Sequence, residues 1–340
     1  MSSPLTFIIS TGRCGSTFLG DQLAASPLTA VASELSIALE VANGPDSDHA
    51  VTVTSPVDLL RRPNPILALL GRYDLLPSEV LDSPANDSPA LLFTAFPSLF
   101  GPGQPAASAL DDLLTDAEDW PHEPTVQVLA RTMQWIQTRT GARCLVERSG
   151  ASLAAASTLV ETFGHARFLH LHRSGVGVAR SMAAHPVFKL DALRRKVAAQ
   201  HRVDIFAPDL SAAVQEQLVD EYGPLFPFAF HPDRFVHHFP LGDTHFGTLW
   251  SLMMMRGCAA LNTLPPEQLR HVSYESLGEA PHHVGRQISA FVGLPADDPW
   301  VAALAADIRP STAGAPSPAL ERACALGERI RARLAPATLG

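Results

Sequence analysis

The 340 residues are 46% hydrophobic, enough for one large core with an appended lobe, and no Ser/Gly-rich linker or charge run divides them. A formal net charge of −9 excludes duplex nucleic acid as a partner, which needs a dense Lys/Arg surface, while leaving room for a few converging cations to hold an anionic ligand. Cys14, Cys144, Cys258 and Cys324 form no C-x-x-C pair, which excludes a zinc site or disulfide framework and reads as four reduced interior thiols.

In chain order, Leu5 to Ser10 predicts a short buried strand, and Ser16 to about Ala25 a helix with Leu19 and Leu23 at the i, i+4 spacing. The apolar run at this end is too short for a signal peptide or membrane span and has no basic flank, so a cytoplasmic chain is expected. Arginine outnumbers lysine so heavily that only Lys189 and Lys196 are lysines, a bias typical of a GC-rich bacterial genome. Pro27 stops the first helix, and Ala30-Val31-Ala32-Ser33 predicts a second strand. Residues 41–125 lack a clean period and carry many Pro, Asp and Ser; short helices and loops are expected, forming a lid or acceptor-binding insertion.

Arg143 to Glu147 predicts a strand and Ser152 to Phe163 an Ala-rich helix. Arg167 to His172 predicts another strand, followed by the turn Arg173-Ser174-Gly175 and a helix through Val178 and Met182. Residues 186–246, rich in aromatic residues, Pro and His, read as a second irregular insertion. A helix from Thr248 to Asn262, a strand at His271 to Tyr274, a helix ending near Phe291 and a last helix at Ala319 to Arg333 complete the chain. Strands alternating with helices specify an α/β fold with a mainly parallel central sheet flanked by helices, in one domain spanning residues 1–340.

Two turns carry the chemistry. Ile9-Ser10-Thr11-Gly12-Arg13-Cys14-Gly15-Ser16-Thr17 is a strand, a small-residue turn and a helix start. Such a turn presents backbone N–H groups and a positive helix end to an anion, with glycines allowing close approach. Ser16 and Thr17 add hydroxyls, and Arg13 adds a permanent planar cation. An ATP or GTP phosphate loop needs Lys immediately before Ser/Thr, and Gly15 holds that place here. The second turn places Arg173 after a strand and Ser181 eight residues later on the following helix. An Arg fork with a hydroxyl suits a compact, highly charged phosphate.

In this order the two turns resemble the cofactor-binding segments of sulfotransferases that use 3′-phosphoadenosine 5′-phosphosulfate (PAPS), a family with a P-loop-kinase-like fold. The resemblance implies that Gly12, Arg13, Cys14, Gly15, Ser16 and Thr17 hold the 5′-phosphosulfate, and that Arg173 and Ser181 grip the 3′-phosphate. Cys14 stands where the family more often has Ser. Val146-Glu147-Arg148-Ser149-Gly150 is similar to a family segment whose basic residue contacts cofactor or acceptor, which makes Arg148 a candidate, an ordinary surface Arg being the other reading; Gly150 replaces the commoner Pro. Val272-Ser273-Tyr274-Glu275-Ser276-Leu277 and Ile288 to Pro295 resemble two further segments, the first implying that Tyr274 lies near the adenine. Trp250 reads as core filler. The resemblance covers residues 8–35, 143–185 and 248–296.

The implied reaction moves a sulfuryl group from PAPS to a hydroxyl or amine of a small acceptor, leaving adenosine 3′,5′-bisphosphate. Positioning and cationic stabilisation dominate such a transfer, with Arg13 assigned to the developing charge and no metal required. Glu34, nineteen residues beyond Gly15, matches the spacing of the base glutamate in tyrosylprotein-type and several bacterial members. The other reading of Glu34 is a solvated carboxylate at a helix start. Among the 14 histidines, His172, His185 and His245 are the alternatives for the base. Phe, Leu and Pro in the insertions favour an apolar or aromatic acceptor over a polyanionic sugar chain. A P-loop kinase is the enzymatic rival, disfavoured by the missing Lys; a non-catalytic nucleotide-binding protein is the other, disfavoured by a retained base.

Overall fold

The computed structural model describes residues 5–36, 53–77, 106–309 and 314–334. The chain begins with β1 (Leu5–Ile9), α1 (Ser16–Ala24), β2 (Thr29–Ser33), β3 (Val53–Thr54), α2 (Pro56–Arg61) and α3 (Pro65–Gly71). It continues through α4 (Ala106–Ala117), β4 (Glu123–Pro124), α5 (Thr125–Thr140), β5 (Cys144–Arg148), α6 (Ala156–Thr162), β6 (Arg167–His172) and α7 (Gly175–Ala184). Next come α8 (Pro186–His201), α9 (Ala212–Tyr222), β7 (Leu225–Phe226), β8 (Ala229–Phe230), α10 (Pro232–His237) and α11 (Asp243–Leu261). The last elements are β9 (Leu269–Ser273), α12 (Tyr274–Glu279), α13 (Pro281–Val292), α14 (Trp300–Asp307) and α15 (Pro318–Arg331).

Five strands form the central sheet in the order β2-β5-β1-β6-β9, every neighbouring pair parallel. The sheet is an α/β layer buried on both faces, as the runs of apolar residues in β1, β5 and β6 require. Leaving β1, the chain crosses to β2 on one side; leaving β6, it crosses to β9 on the other. The strand order therefore reverses between β1 and β6, and a crevice opens outside their carboxyl ends. Both cationic turns leave the sheet at this crevice.

The main core fills the two faces of the sheet, with Phe7 and Phe168 stacked at 5.4 Å between ring centroids. Trp250 on α11 is fully buried, in agreement with its reading as core filler. Its indole lies directly on Gly175 and Gly327, where any Cβ would overlap the ring. Gly175 therefore does not serve the turn, as its place after Arg173 suggests; it makes room for Trp250.

Helices occupy much of the stretch 186–246 that reads as irregular. There α8, α9 and α10 gather Leu190, Leu193, Val197, Leu218, Phe226 and Phe235 into a second apolar cluster with Ile66 and Leu70 of α3. The period of α8 is hidden because it buries residues on more than one side, Ala192 against the main core and Leu193 in the second cluster. It also buries Arg194, paired with both carboxylate oxygens of Asp204 at 2.8 and 2.5 Å. In the first insertion the described residues form α2, α3 and α4, while 41–52 and 78–105 lie outside the described residues. Ser152–Ala155 form a 3-10 turn instead of the start of a long helix. The cause is its tie to the end of β1: Leu153 N–H donates to the Ser10 carbonyl at 2.9 Å, and Ser10 N–H donates to Ser152 Oγ at 3.2 Å.

Candidate functional site

The first turn curls because Gly12, Arg13 and Gly15 all have left-handed backbone, at φ of 81°, 56° and 90°. Successive N–H groups then face a common concavity, the geometry of an anion nest. The N–H groups of Cys14 and Gly15 meet no acceptor among the described residues. Gly15 is also pressed from outside, since a Cβ there would overlap the Tyr274 ring, and one at Gly12 would overlap Phe188. The Cys14 side chain points the other way. Its thiol is fully buried, 3.1 Å from Thr11 Oγ1, and donates to the Gly12 carbonyl at 3.3 Å. Burial pushes it up to about 11, so it is an inert loop filler.

The second turn meets the first. Arg13 Nε donates to Ser181 Oγ at 3.1 Å, and an Arg173 terminal nitrogen donates to the Arg13 carbonyl at 3.5 Å. The Arg173 guanidinium also sits 4.9 Å from the centre of the Tyr274 ring, a cation–π distance. Residues 13, 15, 173, 181 and 274 thus come together at the crevice. Tyr274 donates its hydroxyl to the Arg309 carbonyl at 3.0 Å, which fixes the ring over Gly15.

Carboxylates fill the start of α7. Ser174 N–H donates to Glu275 at 2.9 Å and Gly175 N–H donates to Glu328 at 2.7 Å. Arg331 bridges them, donating to Glu328 at 2.7 Å and approaching Glu275 at 3.8 Å. These two N–H groups are taken, so an anion beside this turn would be met by the Arg173 and Ser181 side chains and by the remaining N–H groups of the first turn of α7.

Arg148 is not a surface residue. It is 8% exposed and donates to Glu34 Oε1 at 2.8 Å, to Thr17 Oγ1 at 3.1 Å and to Ser33 Oγ at 2.9 Å. Gly150 N–H donates to the other Glu34 oxygen at 2.9 Å. Glu34 itself has left-handed backbone, φ 60°, and its N–H donates to the Arg148 carbonyl at 2.7 Å. It is therefore not a solvated helix-start carboxylate but one locked beside the first turn through Arg148 and Thr17. Each carboxylate oxygen has two lone-pair sites, so both retain one.

Three more titratable groups are buried around the sheet, with a fourth, His271, half-buried beside them. Glu147 Oε1 accepts from Ser149 Oγ at 2.5 Å and from Ser36 N–H at 3.0 Å. Burial raises its carboxyl from 4.5 to about 7, the nearby Glu34 charge adding to the rise and the Ser149 and Ser36 bonds opposing it. His170 and His271 face each other with Nδ1 atoms 3.0 Å apart, so one is donor and the other acceptor in neutral tautomers. Burial, then His172 and His271, holds His170 well below 6.5; burial likewise lowers His271. Burial, then Arg331 and His271, brings His172 down to about 3.

A pH dependence follows. Below 6.5 the unfolded chain binds protons more readily than the folded chain on three imidazoles whose folded values are lowered, so their contribution to stability falls as pH falls from 6.5. Glu147 acts oppositely, withdrawing stability as pH rises from 4.5 through about 7. With His245 also lowered and Asp21 also raised by burial, four imidazoles against two carboxyls set the net sign. The melting temperature at constant ionic strength is expected to rise from pH 4.5 to 6.5, and a flat or falling profile contradicts the burial of this cluster.

His172, one of the alternative bases, is thus withdrawn from the crevice into a buried group. His245 lies on α11, 5.6 Å from Phe246 between ring centroids. His185 sets its ring edge-on to Phe188 at 5.5 Å, and Phe188 in turn covers Gly12. Sequence reasoning missed Phe188, Glu275 as a cap, Glu328 and Arg331. Glu275 stood in plain view beside Tyr274; Glu328 and Arg331 carry no local signal, because only the folding of α15 against α7 and α11 brings them in.

The described residues contain no group of three or more His, Cys, Asp or Glu placed to hold a metal ion. No helix among them is long and apolar enough to cross a membrane. No family model matches the sequence, and no curated protein matches it either. Among solved structures, the sulfotransferase domain from the curacin biosynthetic pathway is similar at 16% identity and a TM-score of 0.49, covering 98% of both chains. The sulfotransferase domain of the Synechococcus PCC 7002 olefin synthase is similar at 16% identity and a TM-score of 0.43, covering 99% of this chain and 90% of its own. A sulfotransferase from Mycobacterium avium is similar at 16% identity and a TM-score of 0.46, covering 97% of this chain and 76% of that one.

Proposed function

We propose that the chain is a sulfotransferase that takes a sulfuryl group from PAPS and passes it to a hydroxyl or amine of a small acceptor. The meeting of the two cationic turns carries this reading: Arg13 reaches Ser181, and Arg173 reaches Arg13. One doubly phosphorylated nucleotide spans both. The residues present fit it, with the Cys14 and Gly15 N–H groups, the Thr17 hydroxyl and Arg13 on the 5′ side and Arg173 with Ser181 on the 3′ side. When bound, the donor supplies an activated sulfuryl group on its 5′-phosphate.

In an in-line displacement the acceptor atom bonds to sulfur as the bond from sulfur to the phosphate oxygen breaks. Arg13 stabilises the charge gathering on the departing oxygen. Glu34 takes the acceptor proton on a carboxylate oxygen, held in position by Arg148 and the Gly150 N–H. Phe188, over Gly12 and edge-on to His185, supports an apolar or aromatic acceptor.

Transfer of labelled sulfate from PAPS to a panel of phenols, alcohols and amines tests the reading; no turnover with any acceptor and no PAPS binding overturns it. Glu34→Gln is expected to lower kcat by about 10²-fold or more while donor affinity is kept, and unchanged kcat moves the proton to another group. Arg173→Ala is expected to weaken PAPS by about tenfold or more, and to weaken adenosine 5′-phosphosulfate far less. Equal weakening of the two removes Arg173 from the 3′ end.

A further inference from the structure

A second cationic site lies at the opposite end of the sheet. Arg167 opens β6 and Arg270 is near the start of β9; the six steps along the chain from Arg167 to Arg173 span about 20 Å when extended. With His283, Arg286 and Gln287 on one face of α13, and Glu267, they line a cleft of about 520 Å³. That is the size of a small-molecule site. Three guanidinium groups share it with a single carboxylate, on a chain whose net charge is −9.

Packing accounts for only part of this cluster. Arg167 donates to the Phe291 carbonyl at 2.6 Å, and the Arg167 and Arg270 guanidinium carbons lie 6.0 and 5.9 Å from the Phe291 ring centre. The ring therefore orients two forks on one wall. Yet Arg270 Nε is buried and without a hydrogen-bond partner, an uncommon state for a buried donor. Arg286 is exposed and has no ion pair or hydrogen bond among the described residues. His283 Nε2 and Gln287 Nε2 are 2.5 Å apart, so their side chains are already ordered along the rim. Three guanidinium groups lining one cleft repel one another unless an anion shares them. Planar forks match phosphate oxygens two at a time, and several forks with an imidazole favour a multiply charged group over a lone carboxylate.

We propose that this cleft binds the phosphate group of a small phosphorylated ligand, at a site separate from the two cationic turns. Inorganic pyrophosphate is the probe. Calorimetric titration into full-length Arg13→Ala/Arg173→Ala protein, whose two turns are disabled, is expected to show binding. Adding Arg270→Gln and Arg286→Ala should weaken that binding by about tenfold or more. No binding to the first protein, or equal affinity in the second, overturns the proposal. Should either variant fail to fold by circular dichroism, amide hydrogen exchange on the wild-type chain decides. Pyrophosphate is expected to slow exchange in 269–271 and 281–291, and unchanged exchange there refutes the site.

Discussion

Replacing Arg13 with Ala is expected to cut turnover at saturating PAPS by about 10²–10³-fold, the usual loss on removing one preorganised donor to developing charge. Two features of the turn motivate a magnitude of this size. Arg13 has left-handed backbone, so its carbonyl points back to Arg173 while its side chain crosses the crevice to Ser181. The guanidinium is thereby held between the two turns before any ligand arrives, and it need not reorganise during the transfer. Arg13→Lys should recover part of the loss, because charge returns but the Nε bond to Ser181 does not. Ser181→Ala should act mainly on donor affinity. If Arg13→Ala turns over at nearly the wild-type rate with donor saturating, the charge is stabilised elsewhere and the assignment fails.

Arg148→Ala is expected to destabilise the fold by about 3 kcal/mol, at the lower end of the range for breaking a buried ion pair. The lower end applies because the Glu34 side chain is 21% exposed and keeps some access to water. Removing the guanidinium leaves Glu34 with one hydrogen bond, from Gly150, and strips Thr17 and Ser33 of theirs. Arg148→Met with Glu34→Gln should recover much of the stability, since neither member then leaves a charge stranded. Urea unfolding of the two variants checks this; a loss in Arg148→Ala under about 1 kcal/mol would place the pair among surface salt bridges. The same variant should lose turnover, because Glu34 no longer has a fixed place beside the first turn.

Much of the molecule was legible in the chain alone. β1 and β6 stand out because strands buried on both faces must be continuous apolar runs, as in Phe7-Ile8-Ile9 and Phe168-Leu169. The first turn was legible because an anion nest needs left-handed positions and Gly12 and Gly15 supply two of them, while the left-handed Arg13 between them carries no such signal. Arg13 stood out as the cation within the first turn, while Arg173, Ser181 and Tyr274 were singled out by the resemblance of their βα segments to those of PAPS-dependent sulfotransferases. The helices of the second insertion did not, since α8 buries residues on more than one side and carries the buried Arg194, so no amphipathic stripe marks it.

Long-range pairing decided the rest. Local sequence determines which residues sit at the end of a strand, but not which strand lies beside it. β5 inserts between β1 and β2, so Arg148 stands between Thr17 and Glu34 and becomes their common partner. α15 returns from the far end of the chain to place Glu328 on the Gly175 N–H, a contact over 153 residues. Hydrogen bonds and packing reward such contacts only after the intervening chain has closed its loops, and no local pattern of residues records that closure.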